Sequence, residues 1–215
     1  MIKAVLFDMD GLIFDSESLY KRSWQFAASE QGLVISEDLY QNFIGVQDPE
    51  CEQMLVEAFA DQFDRQRFTQ VRDQHFHNAR AQGIDFKPGF AELFSAIQSK
   101  QLKTAIVTSA PLADVEHNFS RSDYLSQFDL VITAEDVQRG KPNPDCYQMA
   151  YQNLGFDARQ CLVLEDSNNG AHAGLAANCQ VIMIPDLLPA LPEYQDRVTL
   201  LSSLDQVIPY LDLLA

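Results

Sequence analysis

The chain has 215 residues, with 15 Lys and Arg against 31 Asp and Glu, which gives a formal net charge of −16. Hydrophobic residues make up 47%, and Gly and Pro number only nine each, so a disordered or collagen-like chain is excluded and one or two packed domains are expected. A surface this acidic repels phosphate backbones and anionic lipid, so neither nucleic acid nor membrane is an expected partner, and an anionic ligand would need a local cation.

The first apolar run, Ala4–Phe7, meets the charge of Asp8 too early to be a signal region. Asp8 and Asp10 then fall on one side of an extended chain by period two, so both can address one ligand. The same stretch, Asp8-Met9-Asp10-Gly11, is also good turn chemistry. Between residues 16 and 100 no convincing strand follows. Residues 17–31 carry Leu19, Trp24, Phe26 and Ala27 at helical spacing and stop at Gly32. Segments 37–44, 50–63 and 65–82 continue the helical pattern, and Gly83 is a plausible stop. Pro88-Gly89 opens the next helix. An interval of about 65 residues is too long for a loop, so a helical domain over 16–83 is expected, inserted into a domain made of 1–15 and 84–215.

Further continuous apolar runs stand at 104–107, 130–132, 161–164 and 181–184, at spacings that suit βα units. Runs apolar on both faces fit a parallel sheet covered by helices. The expected fold is therefore α/β, a Rossmann-like doubly wound parallel sheet with a helical bundle inserted after its first strand. Cys51, Cys146, Cys161 and Cys179 show no CxxC spacing, which fits free thiols in a cytoplasmic protein rather than a zinc or redox site. No stretch approaches the ~20 apolar residues of a membrane span.

Ligands of open α/β sheets bind beyond the carboxyl ends of the strands. Asp8 and Asp10 follow the first run, Thr108 and Ser109 the second, and Glu165 and Asp166 the fourth. Crowded carboxylates repel one another unless a cation sits among them, and an oxygen-only set favours magnesium over zinc. Glu165-Asp166-Ser167 also reads as a helix N-cap, and Thr108 as a cap for a helix near Pro111. All three groups together at strand ends are harder to explain as caps. Lys141, in the proline-stiffened Gly140-Lys141-Pro142-Asn143-Pro144, is the candidate counter-charge. His75 and His77 point to different helix faces and do not form a metal pair.

Phe7-Asp8-Met9-Asp10-Gly11-Leu12, Val107-Thr108-Ser109, Gly140-Lys141-Pro142-Asn143-Pro144-Asp145 and Leu164-Glu165-Asp166-Ser167-Asn168-Asn169-Gly170 resemble, in order, the four motifs of the haloacid dehalogenase superfamily of phosphotransferases. The helical insert resembles its C1-type cap, near the β-phosphoglucomutase and phosphoglycolate phosphatase branch. The resemblance implies Asp8 as nucleophile and Asp10 as general acid and base. It implies Thr108, the Ser109 amide and Lys141 as phosphate-binding groups. It also implies magnesium held by Asp8, the Asp10 carbonyl and Asp166, with Glu165 close by. Tyr20 and Gly45 stand where the cap would contact substrate.

The implied function is a magnesium-dependent phosphatase for a small phosphorylated metabolite, working as a monomer. A phosphosugar mutase and a non-catalytic phospholigand-binding protein are the alternatives. The mutase branch carries a cap histidine where this chain has Tyr20, and a Lys-Gly-x-x-Arg stretch where it reads Ile44-Gly45-Val46-Gln47-Asp48. Both cap cations are absent at those places, which favours hydrolysis. Asp48 and Glu50 there suggest a neutral, polyhydroxylated or cationic leaving group.

Overall fold

In the computed structural model, which describes residues 1–44 and 46–214, the first apolar run forms strand β1 (Ala4–Phe7), buried at every position. Four helices follow: α1 (Ser16–Ser29), α2 (Glu37–Gln41), α3 (Asp48–Phe59) and α4 (Arg65–Ala81). Then come α5 (Phe90–Ser99), β2 (Lys103–Val107), α6 (Leu112–Phe119), β3 (Leu130–Ile132), α7 (Asp145–Leu154), β4 (Cys161–Glu165), α8 (Asn168–Ala176) and β5 (Gln180–Met183). The last elements are α9 (Pro192–Gln195), β6 (Thr199–Leu200) and α10 (Ile208–Leu214).

The chain divides into two compact units, Met1–Asp15 with Asp85–Ala215, and Ser16–Ile84. Asp85 belongs to the first because its carbonyl accepts from the Asp15 amide at 3.0 Å, closing the insertion at its base.

In the first unit the strands form one parallel sheet in the order β3-β2-β1-β4-β5-β6. β1 and β4 are buried at every position because each face of the sheet has its own cover. Ala4, Leu6, Ala105, Val107, Cys161, Val163, Val181 and Met183 pack with Cys146, Tyr147 and Ala150 of α7 and with Ala171 and Ala173 of α8. Phe7 looks the other way, edge-on to Phe90 of α5 at 6.3 Å and to Phe128 at 5.8 Å. Burying one such side chain contributes about 1.5–3 kcal/mol, so both covers stabilise the sheet. β6 has no counterpart in the expectation from sequence, since two half-exposed residues make no apolar run.

The second unit is a helical bundle whose core holds Trp24, Ala27, Leu33, Ile35, Tyr40, Phe43, Leu55 and Phe68. Ser36 and Asp64 cap α2 and α4, accepting from the Leu39 and Arg67 amides at 3.2 and 3.0 Å. Two spans differ from expectation. Residues 37–44 are helical only to Gln41, and α3 starts at Asp48 because Pro49 suits a first helical turn. Helix α3 also stops at Phe59, where Ala60 turns to a positive φ of 49°. The four cysteines are buried and unpaired, and no helix among the described residues is long and apolar enough to cross a membrane.

Candidate active site

β1 lies between β2 and β4, with Phe7 in register with Ile106 on one side and Leu164 on the other. The register carries on past the strand ends, since the Asp8 amide donates to Leu164 O at 3.0 Å. Asp8, Val107 and Glu165 therefore end three adjacent strands side by side. Lys141, far away in sequence, reaches all three. Its Nζ donates to Asp8 Oδ1 at 2.6 Å, Glu165 Oε1 at 2.6 Å and Val107 O at 2.9 Å.

This ammonium is 6% exposed, against 12% for the Asp8 side chain and none for Glu165. Burial works against the Lys141 charge, yet Asp8 and Glu165 together hold it above its ordinary value. Asp8 is pushed up from 3.8 to about 8, by burial first and by Glu165 and Asp10, with Lys141 opposing. Asp166 is likewise raised by burial, then by Asp8 and Glu165. One lysine thus faces more carboxylate charge than it neutralises. Replacing it by Met leaves buried acids uncompensated, and about 3–5 kcal/mol of stability is expected to be lost in urea denaturation. A loss under about 1 kcal/mol would mean that the ion pairs contribute only at the level of surface pairs.

Both oxygens of Glu165 accept from protein donors. Oε1 also accepts from the Tyr147 hydroxyl at 2.7 Å, and Oε2 accepts from the Asp166 and Ser167 amides and the Ser167 hydroxyl at 3.1–3.3 Å. Two glycines make room for these carboxylates. A Cβ on Gly170 would stand 1.7 Å from Glu165 Oε1, and one on Gly11, at φ +82°, 2.4 Å from Asp166 Oδ2. Asp8, Glu165 and Asp166 each offer an oxygen within 4.8 Å of the others. A hard, oxygen-seeking divalent cation fits this donor set and its charge excess, and among the described residues no Cys or His joins the set to favour a softer ion.

The remaining predicted residues fall as follows. Asp10, half-buried beside this cluster in sequence, pairs with Phe14 in a short bridge. Buried Thr108 and exposed Ser109 follow β2, and Thr108 Oγ1 accepts from the Ala110 amide at 3.0 Å. Thr108 does not cap α6, whose N-cap is Pro111. Ser167, by contrast, is the N-cap of α8, accepting from the Gly170 amide at 3.1 Å. The capping explanation of the fourth motif thus holds for its serine and not for its two acids. Gly45 lies outside the described residues.

Tyr20 and Asp48 belong to the second unit, where the Tyr20 hydroxyl donates to Asp48 Oδ2. Buried Arg72 of α4 stands 3.3 Å from Asp48, 3.0 Å from Glu52 and 2.8 Å from Asp73, with its guanidinium 4.8 Å from the Trp24 ring centre. Asp48 is thus paired within the helical bundle, by a cation that α4 supplies. Only partners distant in sequence reveal it, so nothing local could have signalled the pairing.

The profile of the haloacid dehalogenase-like hydrolase family matches residues 5–184, and the chain belongs to that family. It is 32% identical over 209 residues to hexitol phosphatase A of Escherichia coli (strain K12), covering 95% of this chain and 93% of that one. It is 29% identical over 181 residues to the phosphorylated carbohydrates phosphatase of Thermotoga maritima, covering 84% of each. A crystal structure of a hydrolase of the same family from Deinococcus radiodurans R1, with bound phosphate and sodium, superposes with a TM-score of 0.86 at 25% identity, over 99% of this chain and 96% of that one.

Proposed function

We propose that the protein is a magnesium-dependent phosphatase that hydrolyses a small phosphate monoester, a sugar phosphate or related metabolite, through a phosphorylated Asp8. The observation that carries this is Lys141, whose buried ammonium fixes Asp8 at the junction of three strand ends. The carbohydrate phosphatases among the relatives support the substrate class.

Asp8 Oδ attacks phosphorus in line with the ester oxygen, and the phosphorus–ester bond breaks as the new phosphorus–oxygen bond forms. Asp10 gives its proton to the departing alkoxide, so the alcohol leaves neutral. The same carboxylate then takes a proton from water attacking phosphorus, and the bond to Asp8 breaks to release inorganic phosphate. Thr108 and the Ser109 amide hold the phosphoryl oxygens. Lys141 keeps Asp8 aimed and offsets charge that grows on the phosphoryl group. The carboxylates of Asp8 and Asp166 and the Asp10 carbonyl would hold magnesium, which when bound supplies the remaining positive charge for the phosphoryl oxygens. Glu165, its oxygens engaged by five donors, serves chiefly to anchor Lys141.

The reading is tested by phosphate release from a panel of sugar, nucleotide and short-acid monophosphates, with magnesium and with excess chelator. Release from sugar monophosphates that stops in chelator is expected. No release from any member would overturn the assignment.

A further inference from the structure

Beyond the residues placed so far, one more acid lies beside Asp166. Asp186 follows the end of β5, next to β4 in the sheet. Lys87 Nζ donates to its Oδ1 at 2.7 Å and stands 3.5 Å from Asp15. The other oxygen, Oδ2, is buried and has no hydrogen-bond partner. A pure ion pair with Lys87 would have no need to bury a second, unsatisfied oxygen, since such atoms are rare and costly.

Its direction is informative. A Cβ on Gly11 would stand 2.4 Å from Asp166 Oδ2 and 3.3 Å from Asp186 Oδ2, so both oxygens converge on the space beside that glycine. The loop bearing Asp186 is held at both ends: the Ile184 amide donates to Glu165 O at 2.7 Å, and Asn168 of α8 bonds Pro189 O and the Leu191 amide at 3.1 and 2.8 Å. Asp186 is thus positioned by the same strand and helix that position Glu165 and Asp166.

We propose that Asp186 is a further acid of the metal centre, its Oδ2 accepting a hydrogen bond from the hydration shell of a cation held by Asp8 and Asp166, while Lys87 fixes the carboxylate from behind. The inference rests on the metal-dependent reading above. Magnesium keeps several waters when protein-bound, and acceptors that orient such an outer shell typically matter 10–100-fold in affinity.

Magnesium binding to metal-free protein, measured by calorimetry, tests it in three variants beside the wild type. Asp186→Asn is expected to weaken binding about tenfold or more, with the melting temperature of the metal-free protein little changed. Lys87→Gln keeps a donor and removes a positive charge, and is expected to tighten binding. Asp15→Asn removes an equal charge from the other side of Lys87 and is expected to shift affinity no more than about twofold. Equal loss in Asp186→Asn and Asp15→Asn would reduce the effect to bulk field and overturn the proposal. So would wild-type affinity in Asp186→Asn, or weaker binding in Lys87→Gln should Asp186→Asn fail to fold. A wild-type protein that binds no magnesium would instead remove the metal-dependent reading itself.

Discussion

Asp8→Asn is expected to lower magnesium-dependent phosphate release by about 10⁴-fold or more, the order found when a covalent nucleophile is removed. The size of the loss decides between two roles. Disturbing the groups that orient a cation's ligands costs about 10–100-fold, whereas an amide in place of the attacking carboxylate blocks the covalent route altogether. The fold should survive, because an Asn oxygen can still accept from Lys141 and a buried charge has been removed. Steady-state release from the best member of the panel measures it, and a variant within tenfold of wild type would show that Asp8 does not carry the phosphoryl group.

Magnesium is expected to raise the melting temperature far more at pH 8 than at pH 5. Burial lifts the Asp8 carboxyl from 3.8 to about 8 in spite of Lys141. A folded-state value above the unfolded one means that this group's contribution to stability is complete below pH 3.8 and is lost as pH rises towards 8. At pH 5 a cation must displace the proton from Asp8, and at pH 8 much of that work is already done. A hundredfold excess over the dissociation constant adds about 2.7 kcal/mol. For a chain of this size that is about 5–10 °C. Thermal scans in magnesium and in chelator at the two pH values give the comparison. Equal shifts at both would mean that no proton on Asp8 competes with the cation between these pH values.

The sheet was legible because its strands are buried on both faces, so the apolar runs ending at Phe7, Val107 and Ile132 mark strand ends without any knowledge of the helices. The acids and hydroxyls just beyond those ends were legible for the same reason. Lys141 was legible too, marked by the prolines around it, but distant pairings that carry no motif were not. Arg72 pairs with Asp48 and Glu52 across the bundle, and no motif links them. Lys87 and Asp186 lie 99 positions apart and carry no motif. The edge strand β6 exists only because β5 offers it a ladder, with Ile182 and Met183 opposite Thr199 and Leu200.

The closure at the base of the insertion has an evolutionary reading. The Asp15 amide and Asp85 carbonyl meet at 3.0 Å, and Phe14 bridges Phe86 with their rings stacked at 4.8 Å. Everything from Ser16 to Ile84 hangs from a clasp that already belongs to the sheet-bearing unit. Such a cassette can be lengthened, exchanged between relatives, or excised and replaced by a short turn, with no shift in the register of β1.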